Sequence, residues 1–524
     1  MSWDSEGFDA IVVGGGHNGL VAAARLAGEG KRVLVAEAGP RAGGAAVTSE
    51  ITPGYSVSAV AHLLEGFPRR IERKLKLARH GLRYAVRNVA TVALDRDGKH
   101  LLLPRTRKEF AVFREALPKD AEAYREYVAH RRALAGLVAP LLGERPPELA
   151  DPDALRRFLR RSVWRAMLKG RGTMQNLLRT LPESIGDRLD AEFESPLLKG
   201  ALAFDATLGG GEGPYAPGTS FRAVLREAMR LQGQGACLPA GGMGALADAL
   251  VAAIAASGGK IHLDTEVSRI LVEEGRVNGI VLSGGVEIRA PLVLSAISPG
   301  VTMLELVGAH HVETDDIREL RNFSPRGTAA KINLALDRLP QFTGLAPELH
   351  GARLLIAPSL AELDETSHAA QNGDLPLEPV MELLLPSFAD PSLAPEGQHV
   401  ISIIVHNIPH EIEGGWETHR EALVQRVIRT LGGYAPEIAD AMIAGEILMP
   451  HDIERKYGLA GGDWHQGDIR LDGLLVSRPA PGYSRYETPL PGLWLCGAGS
   501  HPGGGVTGLP GWVAAGAALE RGDA

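Results

Sequence analysis

Residues 10–37 read AIVVGGGHNGLVAAARLAGEGKRVLVAE, and this stretch decides the fold. An apolar run, Ala10 to Val13, leads into Gly14-Gly15-Gly16-His17-Asn18-Gly19. A helical stretch then reaches Gly30, and a second β-rich run, Arg32 to Ala36, ends at Glu37. The order is strand, glycine turn, helix, strand. Gly14 permits the tight turn, Gly16 removes a side chain where a diphosphate must approach, and Gly19 lets helix and strand pack closely. A diphosphate then sits on the bare N–H groups and positive dipole end of the helix, with His17 and Asn18 beside it in the turn. Glu37 closes the second strand, where its carboxylate can accept from both hydroxyls of an adenosine ribose. The glycine spacing alone is weak; the terminal acid in the right place confirms the dinucleotide reading.

Outside this unit the chain sets broad bounds. Its 524 residues exceed one hydrophobic core, so at least two domains are expected. A net charge of −8 disfavours broad nucleic-acid binding. The two cysteines, Cys237 and Cys496, form no close pair. That removes disulfide frameworks, CxxC zinc sites and the reductases that use a redox cysteine pair. His310-His311 has no ligand-like spacing, and no metal is expected. The first nine residues carry no basic segment, and no apolar run reaches spanning length, so a cytoplasmic location is expected.

Residues 67–230 read as helical and polar, broken by the irregular loop GGGEGPYAPG at 209–218. Asp205 and Thr207, just before it, are candidates to line a substrate cavity. Strands are expected at Lys260 to Leu263, Val267 to Glu273, Arg276 to Leu282 and within Glu287 to Ile297, after a helix from Met243 to Ala256. Residues 302–451 mix helix and strand. Between Leu155 and Gly172, apolar or small residues recur on one helical face while seven Arg or Lys fill the rest with no acid. Such a helix can lie peripherally on an anionic membrane; the alternative is that it packs on its own domain.

Arg41-Ala42-Gly43-Gly44 follows Glu37. It is similar to the stretch that carries FAD in flavoproteins related to glutathione reductase, amine oxidases and phytoene desaturases; a simple NAD dehydrogenase has no need of it. At the other end, LWLCGAGSHPGGGVTGLPG (493–511) ends a strand, runs through glycines and starts a helix near Val506. It resembles the C-terminal signature of the phytoene desaturase and carotenoid isomerase family. The resemblance extends to GGGHNGLVAA (14–23), PAGGMGALADAL (239–250), AAKINLALDRLP (329–340) and GGDWHQGDIRLDGLLVSRP (461–479). It is nearest to the branch that includes pyridine nucleotide-disulfide oxidoreductase domain-containing protein 2.

The resemblance implies an α/β chain: a Rossmann-like, glutathione reductase-type FAD domain from residues 1–65, 235–300 and 455–524. A mixed α+β substrate domain would come from 66–234 and 301–454. It places Gly497, Gly505, Val506 and Thr507 at the flavin, where a helix N-terminus stabilises charge on the reduced ring. Val267 would bond the adenine through its backbone. Lys331 resembles the amine-oxidase lysine that holds a water against flavin N5. His501, in the flavin-facing turn, is a candidate acid or base. The implied reaction is hydride transfer from an apolar, isoprenoid or polyene substrate to FAD, as in a desaturase, isomerase or saturase, with oxygen or a quinone as electron acceptor. A flavin amine oxidase is one alternative. A non-enzymatic carrier of prenylated ligands, like Rab GDP-dissociation inhibitors, is another, and the intact glycine and acid set disfavours it.

Overall fold

The two apolar runs of the opening stretch become neighbouring parallel strands. In the computed structural model, which describes residues 7–148, 151–168, 171–323, 325–467, 469–470 and 473–522, Ala10 lies beside Val33 and Val13 beside Ala36. Lys260–His262 extends the sheet beyond Val33–Ala36. Leu292–Ser295 pairs on the other side of Ala10–Val13, and Leu493–Leu495 beyond that. All five strands are parallel, and they come from the beginning, middle and end of the chain.

The strands are short, and the inner ones are almost wholly apolar because both faces of the sheet are covered there, while the edge strand Lys260–His262 is polar and partly exposed. Ala10, Val12, Val33 and Val35 point to one side, packed with the helices His17–Gly28, Gly244–Ala256 and Leu509–Arg521. Ile11, Val13 and Leu34 point to the other, against Ile270, Val277 and Ile280 of a three-stranded antiparallel sheet. The period-two alternation of strand side chains makes this division. The strands read from sequence between residues 260 and 297 occur at Lys260–His262, Val267–Glu273, Arg276–Leu282, Glu287–Arg289 and Leu292–Ser295.

A second, seven-stranded mixed sheet runs in the order 442–448, 330–336, 399–405, 381–384, 353–356, 91–93, 101–103. Its last two strands correct the expectation that residues 67–230 are helical. Thr91–Ala93 and Leu101–Leu103 are three-residue runs, too short to show a period, and Thr91–Ala93 finds its partner Arg353–Ile356 far along the chain. Tyr84–Arg87 is likewise a strand, paired with Cys237–Pro239. From Arg107 onward the stretch is helical as read, ending in Pro196–Thr207 and Thr219–Gln232.

The basic span forms the helix Pro152–Leu168 and packs on Ala121–Leu142. Phe158, on its apolar face, is buried, whereas Trp164 is 62% exposed. The apolar face is therefore turned onto the protein at Phe158. Lys169 and Gly170 lie outside the described residues. Among the described residues no helix is long and apolar enough to cross a membrane.

Candidate functional site

The glycine turn separates into three physical tasks. Gly14 adopts φ +91°, a left-handed conformation that disfavours side chains. A Cβ on Gly19 would lie 2.1 Å from the Gly14 carbonyl oxygen, so any side chain there would push the helix off the turn. A Cβ on Gly16 would meet nothing within 4 Å. Gly16 thus faces open space at the start of the His17–Gly28 helix, whose first N–H groups have no intrahelical partner. Room for a phosphate and bare amides coincide there.

Glu37 lies against this cradle. Gly15 N–H donates to its Oε2 at 2.6 Å and Gly39 N–H to its Oε1 at 2.7 Å. A carboxylate offers about four lone-pair sites, so two stay available for a ribose. The segment before Val267 crosses the same place: Thr265 N–H donates to the Glu37 carbonyl and Asp264 N–H to the Gly39 carbonyl. Gly43 is held to the turn by its N–H on the Gly15 carbonyl at 2.8 Å, and Gly43 and Gly44 both take positive φ. Arg41 is exposed, its Nη1 donating to the Thr48 carbonyl at 3.3 Å.

The C-terminal turn arrives from the far side. A Cβ on Gly497 would lie 2.4 Å from the Ala296 carbonyl oxygen, so strand ends pack tightly there. The following helix begins at Leu509, three residues later than expected, because Gly508 turns left-handed at φ +65° and Thr507 Oγ1 accepts from Leu509 N–H. Gly504, Gly505 and Val506 form a bend, with Gly505 at φ +91°, and face a cavity of about 190 Å³.

His17 faces the same cavity, which places the start of the first helix and the C-terminal turn on one space. Its apolar wall includes Val60, Leu63, Leu208, Leu225, Met229 and Ile404. A charged wall completes it, with Glu65, Asp205, Arg226 and Glu382, and with Arg222, which pairs with Glu212. These charges are closed on one another. Arg226 and Arg230 both reach Glu65 at 2.9 Å, Arg230 reaches Asp205 at 3.0 Å, and Arg353 bridges Asp205 at 2.8 Å and Glu382 at 2.5 Å. Three guanidinium groups thus balance three carboxylates. Burial pushes the Glu382 and Asp205 carboxyls up, but the guanidinium groups outweigh it and hold both well below the usual carboxylate range.

Lys331 and His501 do not stand among the cavity-lining residues. Lys331 is fully buried; its Nζ donates to Asn333 Oδ1 at 2.7 Å and to Ser402 Oγ. Ser402 Oγ in turn donates to His62 Nδ1 at 3.1 Å, and His62 Nε2–H donates to Glu382 at 2.9 Å. The ionised Glu382 fixes that tautomer. Lys331 therefore connects to the cavity through Ser402 and His62, and burial pulls its ammonium down to about 7. His501 turns away, its Nε2 bonded to the Leu141 carbonyl at 3.0 Å, and burial lowers it to about 4. His17 is lowered to about 4 and His465, on the cavity wall, to about 3, both by burial, so these rings are neutral at neutral pH.

Asp205 lines the cavity as read from sequence, while Thr207 sits behind it against His406 Nε2 at 3.0 Å. His62, Glu65, Arg226, Arg230, Arg353 and Glu382 escaped sequence reading, since each belongs to no motif. His465 lay inside the resembling stretch 461–479 and carried a usable signal.

The open cradle at Gly16, the carboxylate beside it and the glycine turn facing the same cavity fit an extended dinucleotide with its ring end in that cavity. Comparison with known proteins agrees. The family model of flavin-containing amine oxidoreductases matches residues 19–516. The chain is 36% identical to pyridine nucleotide-disulfide oxidoreductase domain-containing protein 2 of Rattus norvegicus, over 97% of this chain and 92% of that protein. It is 25% identical to prolycopene isomerase 1, chloroplastic, of an Oncidium hybrid cultivar, over 96% of this chain and 82% of the relative. Among solved structures, an oxidoreductase from Methanosarcina mazei shares the fold, with a TM-score of 0.63 at 19% identity, covering 98% of this chain and 99% of that one. The chain belongs to the flavin-containing amine oxidoreductase family and is an FAD-dependent oxidoreductase.

Proposed function

We propose that this enzyme acts on a carbon–carbon bond of an apolar, isoprenoid or polyene substrate, as a desaturase, isomerase or saturase does. The observation that carries the reading is the cavity. Aliphatic side chains form part of its lining, and each charged group of the lining has an ionic partner in the protein. An apolar ligand against that lining leaves no charge without its partner, so desolvation costs less than it would beside a lone ion. Prolycopene isomerase, by its name, acts on a polyene.

FAD, when bound, supplies a hydride acceptor at N5. In this reading Gly14, Gly16, His17, Asn18 and Gly19 hold its diphosphate and Glu37 its ribose. Arg41, Gly43 and Gly44 flank the loop, and the Val267 backbone meets the adenine. Gly497, Gly505, Val506 and Thr507 hold the ring end. Residues 1–65, 235–300 and 455–524 form the FAD-binding domain, with 66–234 and 301–454 the substrate domain. The cavity orients the reacting bond and excludes water, which supplies most of the rate effect. Lys331 acts as a positioning residue through its hydrogen bonds to Ser402 and, beyond it, His62. His501, bonded to Leu141, is a pin between the C-terminal turn and the Ala121–Leu142 helix. In a desaturation oxygen or a quinone takes the two electrons, whereas an isomerisation releases none and a saturation consumes them; the enzyme works in the cytoplasm.

Anaerobic mixing of the holoenzyme with polyenes and with amines tests this reading. A polyene is expected to bleach the flavin absorption band in a desaturation, to restore the band of pre-reduced enzyme in a saturation, or to be isomerised with the band unchanged, while amines leave the band and stay unreacted. If amines bleach it and polyenes do not, the enzyme is an amine oxidase. A colourless protein that takes up no FAD would return the carrier reading.

A further inference from the structure

The glycine-rich loop 209–218 joins the helices Pro196–Thr207 and Thr219–Gln232 and divides into two halves. The outer half is pinned. Gly186 N–H donates to the Pro214 carbonyl at 2.8 Å, Gly218 N–H to the Pro182 carbonyl at 3.2 Å, and Thr219 Oγ1 to the Ala216 carbonyl at 2.7 Å. The Tyr215 hydroxyl adds a bond to Asp190 at 2.9 Å. The inner half, 209–212, is held differently. Among the described residues its one backbone hydrogen bond runs from Gly210 N–H to the Thr207 carbonyl, at the root of the loop. Side chains supply the other ties. Ser367 and Gln371 donate to the Gly211 carbonyl at 3.4 and 3.2 Å. Glu212 accepts from Arg222 and lies 3.7 Å from Arg470.

This weakly bonded half stands at the cavity. Leu208, Gly209 and Gly210 line it, as do Trp464, His465 and Ile469 from a distant part of the chain. The two segments are tied across it. The His465 ring bonds the Leu208 backbone, and Arg222, while it holds Glu212, donates from Nε to the Ile469 carbonyl at 2.8 Å. Gly209, at φ +75°, allows the segments to close. A Cβ there would lie 2.8 Å from His465 Nε2 and 2.9 Å from Trp464 Nε1. Backbone with so few bonds of its own opens locally at low cost, while the pinned half and the flanking helices keep their places. We propose that residues 209–212 are a gate over the cavity, latched by Glu212 on Arg222 and Arg470, and that substrate enters when the latch parts and the loop leaves Trp464 and His465. The latch suits repeated release. Glu212 and Arg470 are both partly exposed, so water replaces their pairing at small cost. Arg222 keeps its bond to Ile469 when Glu212 leaves, so the facing segment stays in position.

Acrylamide quenching of flavin fluorescence in the holoenzyme tests the gate, because this small neutral probe reaches the ring only through an open cavity. Glu212→Gln keeps the side-chain size and removes the charge. It should raise the quenching constant by roughly fivefold, the population shift that follows loss of a part-exposed ion pair. The double variant Glu212→Cys/Arg470→Cys supplies a control within one folded protein. A short bismaleimide joins its two introduced thiols, whereas Cys237 and Cys496 are buried. Quenching should be high before cross-linking and fall to the wild-type value or below after it. Wild-type quenching in Glu212→Gln, or a cross-link that leaves quenching unchanged, overturns the gate. Acrylamide is indifferent to the substrate class, which flavin reduction by polyenes or amines tests separately, so the two failures are distinguishable.

Discussion

At the scale of single residues, the buried lysine makes the sharpest statement. Lys331 is fully buried, and its pKa falls from 10.5 to about 7 because burial disfavours the ammonium. Between those values the unfolded chain binds a proton that the folded chain does not. Folding stability relative to a Lys331→Met variant should therefore rise with pH from about 7 to 10 and stay flat below 7. Urea denaturation of both proteins at pH 6 and pH 9 checks the sign; a difference that does not change with pH would place the ammonium in contact with solvent. The glycine roles were legible at this scale, because tight turning, close approach and helix packing each exclude a side chain at one defined position. Lys331 was legible only through resemblance. Its link to the cavity through Ser402 and His62 joins residues 331, 402 and 62, and no local spacing encodes that.

Elements meet through the ionic lattice. Asp205 closes the helix Pro196–Thr207, Arg226 and Arg230 belong to Thr219–Gln232, and Arg353 starts the strand Arg353–Ile356. Removing one carboxylate leaves guanidinium groups buried without their partner. Asp205→Asn should cost about 3–5 kcal/mol in denaturant unfolding of the holoenzyme. Adding Arg353→Met should cost less than the sum of the two single losses, since the pair shares one interaction. Strict additivity would mean that the two side chains do not interact. Sequence periodicity located the long elements well, including the strands between residues 260 and 297. It failed where length or capping decides. Thr91–Ala93 is shaped by its pairing with Arg353–Ile356, and the last helix waits for Gly508 and the Thr507 cap rather than starting at Val506.

For the whole molecule, the parallel sheet takes strands from residues 10–13, 33–36, 260–262, 292–295 and 493–495, so distant parts of the chain share one core. A ligand lying across the His17 and Gly504–Val506 ends of the site stabilises all of them together. FAD at about 100 times its Kd should add about 2.7 kcal/mol to the apoprotein and raise Tm in a single transition. Calorimetry with and without FAD reads this; a Tm indifferent to FAD would mean that the cofactor does not join these segments. The α/β class and the cofactor were readable because the opening unit is local and complete. The charged wall was not, since it assembles from residues 65, 205, 226, 230, 353 and 382 only when both sheets are in place.

The most direct test of the central claim is titration of apoprotein with FAD, comparing the wild type with Gly16→Ala by flavin fluorescence. Gly16 lies at φ −64° and its Cβ would point into open space, so the apoprotein should unfold within about 0.5 kcal/mol of the wild type. The added methyl fills the space assigned to the diphosphate, and affinity should fall by roughly 100-fold or more, a loss of about 2.7 kcal/mol. Equal affinity in the two proteins would contradict a cofactor seated on this helix.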